Sequence, residues 1–488
     1  MKRKVVIIGS GFSSLSAASY LAKKDFEVHV FEKNATLGGR ARQLKKDGFT
    51  FDMGPSWYWM PDVFESFFND FGKSTKDFYR LNRLDPGYQV VFGKNQIISI
   101  GDSLEKIYKV FEKEEPGSRQ KLERFIASAK SNYEIAIKDL VYRPGVSPLE
   151  LVTLATIKKV KYFLSNIKRD VYKDFKSAKL RQILQFPVLF LGAKPSNTPS
   201  FYNFMNFADF GLGTWHPENG MYSIVEAMVS LAESLGVVFH TESPITKITV
   251  DTSGAASGIQ LNESYIDADI VLSGADYHHS ETLLEPKYRA YSEAYWDKKV
   301  FAPSSLLFYI GLDKKVRNLA HHNLFFDVDF DEHARVIYDQ PEWPKDPLFY
   351  ANFPSVSDPK MAPEGKETCF LLIPIAPDIE DNQELRDKYL TIVMNRLEKL
   401  TNQSLKKEML FCESFCVNDF IDEYNSYKGN AYGLANTLLQ TAFLRPKLKS
   451  KKVKNLFFTG QLTVPGPGVP PALISGKLVS ELISLTNP

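Results

Sequence analysis

Only three cysteines, Cys369, Cys412 and Cys416, occur in 488 residues. That is too few for a disulfide framework and suits a reducing compartment. Cys412 and Cys416 are spaced to meet on one helical turn, but no His or further Cys stands near them, so no metal site is expected. No run of ~18 apolar residues exists, which argues against a spanning helix. The opening MKRKVVIIGSGF imitates a secretory leader. Its apolar run ends at Ile8 against a glycine and no cleavage site follows, so it reads as structure instead. Net charge is missing too. Sixty basic residues face 58 acidic ones, which excludes a global polyanion-binding surface, and no nucleic-acid partner is expected. With 44% hydrophobic and 24% charged residues, wholesale disorder and collagen are excluded. Aromatics are abundant (36 Phe, 23 Tyr, 5 Trp), favouring a large core and an apolar ligand. At ~150 residues per domain the length predicts about three domains, or two with an insertion.

Lys4 to Ile8 reads as a short strand buried on both faces. Gly9-Ser10-Gly11 follows, then a helical face of Leu15, Ala18, Leu21 and Ala22, then a strand over Val28 to Phe31 that ends in Glu32. Strand, glycine turn, helix, strand and acid at this spacing form a dinucleotide-binding unit. Gly9 allows the tight turn, Gly11 lets the backbone approach a pyrophosphate, and the helix offers free N–H groups at Ser13 and Ser14. Glu32 suits a ribose diol. Ser14 stands where the third glycine of the fingerprint belongs; it is small enough for close helix–strand packing. Gly211-Leu212-Gly213 lacks the strand–helix context, so only one such unit is expected.

Beyond Glu32 come Lys33, then LGGRA with Gly39 and Arg40, then FDMGPSW with Gly54, Pro55 and Ser56. Together with GSGFSSLSAASYLA, these segments resemble the flavin-binding start of FAD-dependent amine-oxidase-like oxidoreductases. Within that superfamily they are similar to the bacterial-type phytoene (carotenoid) desaturases. The resemblance implies an FAD cofactor, with Arg40 and the Gly54–Ser56 turn near the flavin and the backbone of Ile245 at the adenine. It extends to His216–Met221, where Asn219 replaces a usual glycine, and to Leu456–Gly460 followed by Gly468, Val469 and Pro470 at a helix start. Free N–H groups at that start are expected to face the flavin. Gln461, Val464, Pro467 and Pro471 depart from the family's pattern there. The fold class implied is α/β. A Rossmann-type FAD-binding domain is assembled from residues 1–110, 205–285 and 445–488. A helical, membrane-facing subdomain spans 111–204, and a mixed α+β substrate domain spans 286–444.

Residues 158–181 hold nine basic residues against Asp170 and Asp174, interleaved with apolar residues such as Val160, Phe163, Leu164 and Ile167. A basic amphipathic segment of this kind rests on an anionic membrane, or is simply a solvated face over a core. The run from Arg445 to Lys454 reads as an exposed loop. Residues 186–191 and 201–207 are candidate walls of an apolar tunnel. Adjacent His321 and His322 are expected on opposite faces of a strand and so not to bind metal. The resemblance implies a carotenoid desaturase acting on phytoene-type polyenes or at the 3,4 bond of hydroxycarotenoids. Such an enzyme is peripheral on the inner, cytoplasmic face of the membrane, draws its substrate from lipid and passes electrons to oxygen or a quinone. No feature selects a catalytic acid or base. A flavin-dependent isomerase or saturase, a non-catalytic isoprenoid-lipid escort, and an amine oxidase remain as alternatives on this fold.

Overall fold

A computed structural model describes residues 2–486, apart from the side chains of Leu151, Leu154, Ala155, Phe190 and Leu191; Phe190 and Leu191 of the expected tunnel wall therefore lie outside the described residues. The architecture is α/β. Five parallel strands form one sheet in the order Leu456–Phe458, Ile270–Ser273, Lys4–Ile8, Glu27–Phe31, Val238–His240. Its strands come from three distant stretches of chain, as the glycine motifs imply. Val5, Val6 and Ile7 at its centre are fully buried, which is why this strand is β-branched on both faces. The helix Phe12–Lys23 is buried from Phe12 through Leu21. Small residues make that possible. A Cβ on Gly476, in the facing helix Val469–Thr486, would lie 2.4 Å from the Ser13 carbonyl oxygen.

A seven-stranded sheet stands apart from the first. Its order is Met409–Phe415, Ser304–Leu312, Glu367–Ile375, Phe349–Asn352, His322–Phe325, Tyr88–Gly93, Gln96–Ile100. The last two strands belong to the stretch grouped above with the nucleotide unit. They hydrogen-bond into this sheet instead, through parallel pairing of Gln89–Val91 with Asn323–Phe325. Ile245–Val250 starts a separate three-stranded antiparallel layer.

Asp52 ties the segments together. Its half-buried carboxylate accepts from the N–H groups of Met221 (2.7 Å) and Tyr222 (3.2 Å), at the start of the helix Tyr222–Ser234. Asn219 before it adopts φ +69°, the left-handed conformation expected of the glycine it replaces. Residues 154–185 fold as four short helices, Leu154–Lys158, Val160–Leu164, Ile167–Asp174 and Ala178–Gln185.

Candidate flavin and substrate site

One cavity of about 780 Å³ takes in every cofactor residue expected above except Ser14. At its polar end Gly9 has φ +85°, and an added Cβ would meet the Ala275 backbone nitrogen at 3.3 Å. Glu32 is buried, with its carboxylate oriented by three donors: Ser10 N–H (3.0 Å) and Ser10 Oγ (2.6 Å) on Oε2, and Asn34 N–H (3.0 Å) on Oε1. Gly38 N–H donates to Ser10 Oγ at 3.1 Å, drawing the second glycine pair onto the first. An added Cβ at Gly39 would lie 3.4 Å from Gly11 Cα. Gly54 is tighter still, its added Cβ 2.3 Å from the Arg40 carbonyl oxygen. The N-terminus of the helix Phe12–Lys23 has no side-chain cap, so its N–H groups stay available to an anion.

Ser14 lies behind this surface, fully buried. The close approach normally granted by a glycine there comes from Gly274, where a Cβ would fall 2.0 Å from Ser14 Oγ. The glycine has moved to the facing chain, a compensation that the spacing of the first motif does not reveal.

Arg40 donates from Nη2 to Ser426 Oγ at 2.6 Å and lies over the Tyr424 ring. Turning the Gln461 amide oxygen toward it adds two contacts of 3.2 Å. Nε is buried without a partner. Burial holds the Arg40 pKa below its ordinary value, with the Asp276 carboxylate acting in the opposite sense. A buried guanidinium with a spare donor, beside glycines that leave room for ligand atoms, fits a pyrophosphate. Lys33 reaches the cavity wall, but its ammonium donates to the Asp422 carbonyl. Asp276, not singled out above, caps the helix Tyr277–Thr282 through the N–H groups of His278 (3.0 Å) and His279 (3.4 Å). An acid two residues past the glycine that follows the strand in VLSGAD is the signal that could have found it.

The helix near Gly468 begins at Val469, with Pro470 and Pro471 at its second and third positions. Prolines carry no N–H, and Ala472 N–H already bonds Gly468 O at 3.0 Å. The expected row of free donors thus reduces to Val469 within the first turn.

Past the Gly54–Ser56 turn the cavity becomes apolar. Trp57 stacks on His322 with centroids 4.1 Å apart and planes at 10°. Phe186, Leu189, Phe201, Phe204 and Met205 supply wall, whereas Val188 is core and Asn206 bonds the Leu184 carbonyl. The His321–His322 reading needs correction. His321 precedes the strand that starts at His322, so strand alternation does not apply, and the two rings sit 4.3 Å apart. No group of three or more metal-ligating side chains occurs among the described residues. Arg445 is likewise not in an exposed loop: it is 2% exposed and bonds the carbonyls of Leu434 and Gln461.

A family model described as flavin containing amine oxidoreductase matches residues 12–484. This chain belongs to that family. It is a flavin-dependent oxidoreductase, and within the family it groups with carotenoid desaturases. It is 39% identical to a carotenoid 3,4-desaturase of Haloarcula japonica, covering 98% of this chain and 97% of the relative. A zeta-carotene-forming phytoene desaturase of Myxococcus xanthus is 32% identical over 98% of this chain and 93% of its own. Among solved structures, an oxidoreductase from Methanosarcina mazei superposes with TM-score 0.66 at 19% identity, covering 98% of this chain and all of its own. A putrescine oxidase variant superposes at 0.60 and 13%, covering 99% of each. These two share the fold of this flavoenzyme.

Proposed function

We propose that this flavoenzyme is an FAD-dependent carotenoid desaturase that introduces a conjugated double bond into a long polyene. The observation that carries the reading is continuity. A single cavity joins the Glu32 crevice, through the Gly54–Ser56 turn, to an aromatic chamber that reaches the surface at Leu438. Glu32 holds the ribose diol, the glycine pairs and Arg40 hold the pyrophosphate, and Ile245 supports the adenine. Bound FAD supplies the two-electron acceptor for removing hydrogens from adjacent carbons. Trp57, Phe186 and Phe326 align the polyene and exclude water. Conjugation spreads the charge that develops on the substrate, so alignment matters more than a strong base. Electrons then leave to oxygen or a membrane quinone.

A C40 hydrocarbon enters from lipid, since water dissolves almost none of it. At the mouth Leu149, Leu164 and Leu439 are 76%, 79% and 77% exposed, and Leu438 is both wall and 52% exposed. Lys158 and Lys161 stand beside them, exposed. Further along the basic stretch, two lysines are already paired with acids, Lys168 with Asp331 at 2.8 Å and Lys179 with Glu114 at 3.7 Å. Membrane contact on the inner face therefore centres on residues 146–164 and 438–444. Among the described residues no helix is long and apolar enough to cross a bilayer.

The test incubates the FAD-loaded protein with liposomes containing phytoene, lycopene or a hydroxycarotenoid and separates products by chromatography. Products two hydrogens poorer are expected. Unchanged polyenes across the panel, with flavin bound, overturn the reading. Anaerobic bleaching of the flavin in step with product separates desaturation from isomerisation, which leaves the flavin oxidised.

A further inference from the structure

A polyene that gives up two hydrogens as a hydride and a proton needs somewhere to put the proton, and an apolar chamber offers few places. The carboxylates that line the cavity are already engaged. Glu32 and Asp276 accept from backbone N–H groups, Glu423 from Arg42 at 2.8 Å, and Glu150 from the N–H groups of Gly145 (2.9 Å) and Ser147 (3.1 Å). His333, in the chamber wall, has both ring nitrogens bonded.

Tyr350 is placed differently. It lines the cavity together with Ser56, and His322 stands behind it, stacked on Trp57. Tyr350 OH lies 3.1 Å from Ser56 Oγ and 2.6 Å from His322 Nδ1. Asn352 fixes the direction of the second bond. Its Nδ2 reaches the His321 carbonyl oxygen at 3.1 Å, an atom that can only accept, and lies 3.1 Å from His322 Nδ1. Nδ1 therefore carries the lone pair, Tyr350 donates to it, and the ring hydrogen sits on Nε2. Nε2 is buried with no partner among the described residues. A ring kept only for its stack on Trp57 would do better as phenylalanine, which strands no donor. What imidazole adds is a proton acceptor behind a phenol that faces the cavity.

We propose that Tyr350 takes the proton released by the polyene while its own proton passes to His322 Nδ1. One C–H bond of the substrate gives its hydrogen and both electrons to the flavin. The neighbouring C–H bond breaks, its electron pair becomes the new π bond, and its proton bonds the Tyr350 oxygen. The phenol O–H bond breaks in turn and that proton bonds Nδ1, leaving His322 as imidazolium. When product leaves, the proton returns through the same two groups to water entering the cavity. A hydrogen beside a delocalised cation is strongly acidic, so a weak base suffices. Burial holds the His322 pKa well below its ordinary value and raises that of Tyr350, so the pair waits as neutral imidazole and phenol. His321 lies 4.3 Å from His322 ring to ring; His216, 4.6 Å beyond His321, bonds the Asp358 carboxylate at 3.3 Å; Asp52 and Tyr432 act on Tyr350. The proposal rests on the desaturase reading.

The test compares FAD-loaded wild type with Tyr350→Phe, His322→Phe and His322→Asn on liposomes carrying a polyene. Chromatography measures product, the polyene's absorption shift measures binding, and absorbance measures flavin content. Nitrogen NMR of histidine-labelled protein reads the His322 tautomer, assigned by the signal that His322→Phe lacks. Tyr350→Phe removes one oxygen, and His322→Phe keeps a ring on Trp57. Both are expected to lower turnover ~100-fold with binding and flavin content unchanged. Asparagine offers Tyr350 an acceptor near the place of Nδ1 but cannot take its proton, so His322→Asn is expected to be as slow as His322→Phe. The wild-type hydrogen is expected on Nε2. Full turnover in His322→Asn makes the role structural and overturns the proposal. So do unimpaired phenylalanine variants, a matching loss of binding or flavin, or a hydrogen on Nδ1. A wild type that converts no polyene overturns the desaturase reading, whereas an active wild type with equally active variants overturns this inference alone.

Discussion

The crevice proposed to hold the flavin nucleotide is built mainly of backbone: glycines at positive φ, helix N–H groups and one carboxylate already held by three donors. In the chamber, at the other end of the same cavity, large side chains form the wall, and several polar groups there are bonded to one another. The two ends therefore tolerate change differently. Where backbone approaches backbone, a single added carbon has nowhere to go. Where rings pack on rings, volume can be traded at a moderate cost.

The comparison is sharpest at Gly54. Gly54→Ala places a Cβ against the Arg40 carbonyl oxygen at 2.3 Å, and relieving it shifts Arg40 itself. Flavin is expected to be lost on purification, with a dissociation constant raised by ~100-fold or more, as followed by flavin absorbance. Normal flavin content in this variant breaks the contrast. Next comes Glu32→Ala, which strands Ser10 N–H, Ser10 Oγ and Asn34 N–H. At roughly 1–3 kcal/mol for each buried group left unpaired, both the melting temperature and FAD affinity should fall.

Phe326→Ala tests the other end. The ring is buried and touches Phe186 and Phe330. Its removal should cost about 3 kcal/mol in denaturant unfolding and raise KM for the polyene, while flavin content stays at the wild-type level.

The smallest effect is a pH dependence in the chamber wall. His333 Nδ1 accepts the Leu348 N–H at 2.7 Å and Nε2 donates to Pro374 O at 2.7 Å. It is neutral in the fold, and burial lowers its pKa to about 4. The unfolded chain takes up that proton near pH ~6.5. Stability from this group is therefore complete above that pH and declines as pH falls toward 4, by about 3 kcal/mol at most. Urea titrations across that range should show the decline, and His333→Gln should flatten it.

Legibility followed the same division. The strand Lys4–Ile8, Gly9, Gly11 and Glu32 were readable because a phosphate cradle needs its parts within one short stretch, at spacings set by strand and helix geometry. The left-handed turn at Asn219 was readable for a similar local reason. Gly274 standing in for the missing glycine at Ser14 was not, because it lies across the sheet and only the packed distance exposes it. The His321–His322 contact was missed because strand alternation was applied one residue before the strand begins. Arg445 was misjudged because six basic residues in ten look like solvent until one of them finds three carbonyl or amide oxygens in the interior.

By itself, then, the sequence determined the nucleotide unit and the family, since both rest on short-range spacing and glycine chemistry. Tertiary structure alone decided which side chains line the apolar chamber. Tyr350 and Tyr432 line one cavity although they come from segments far apart in the chain, and what a hydroxyl meets there depends on what packing brings opposite it.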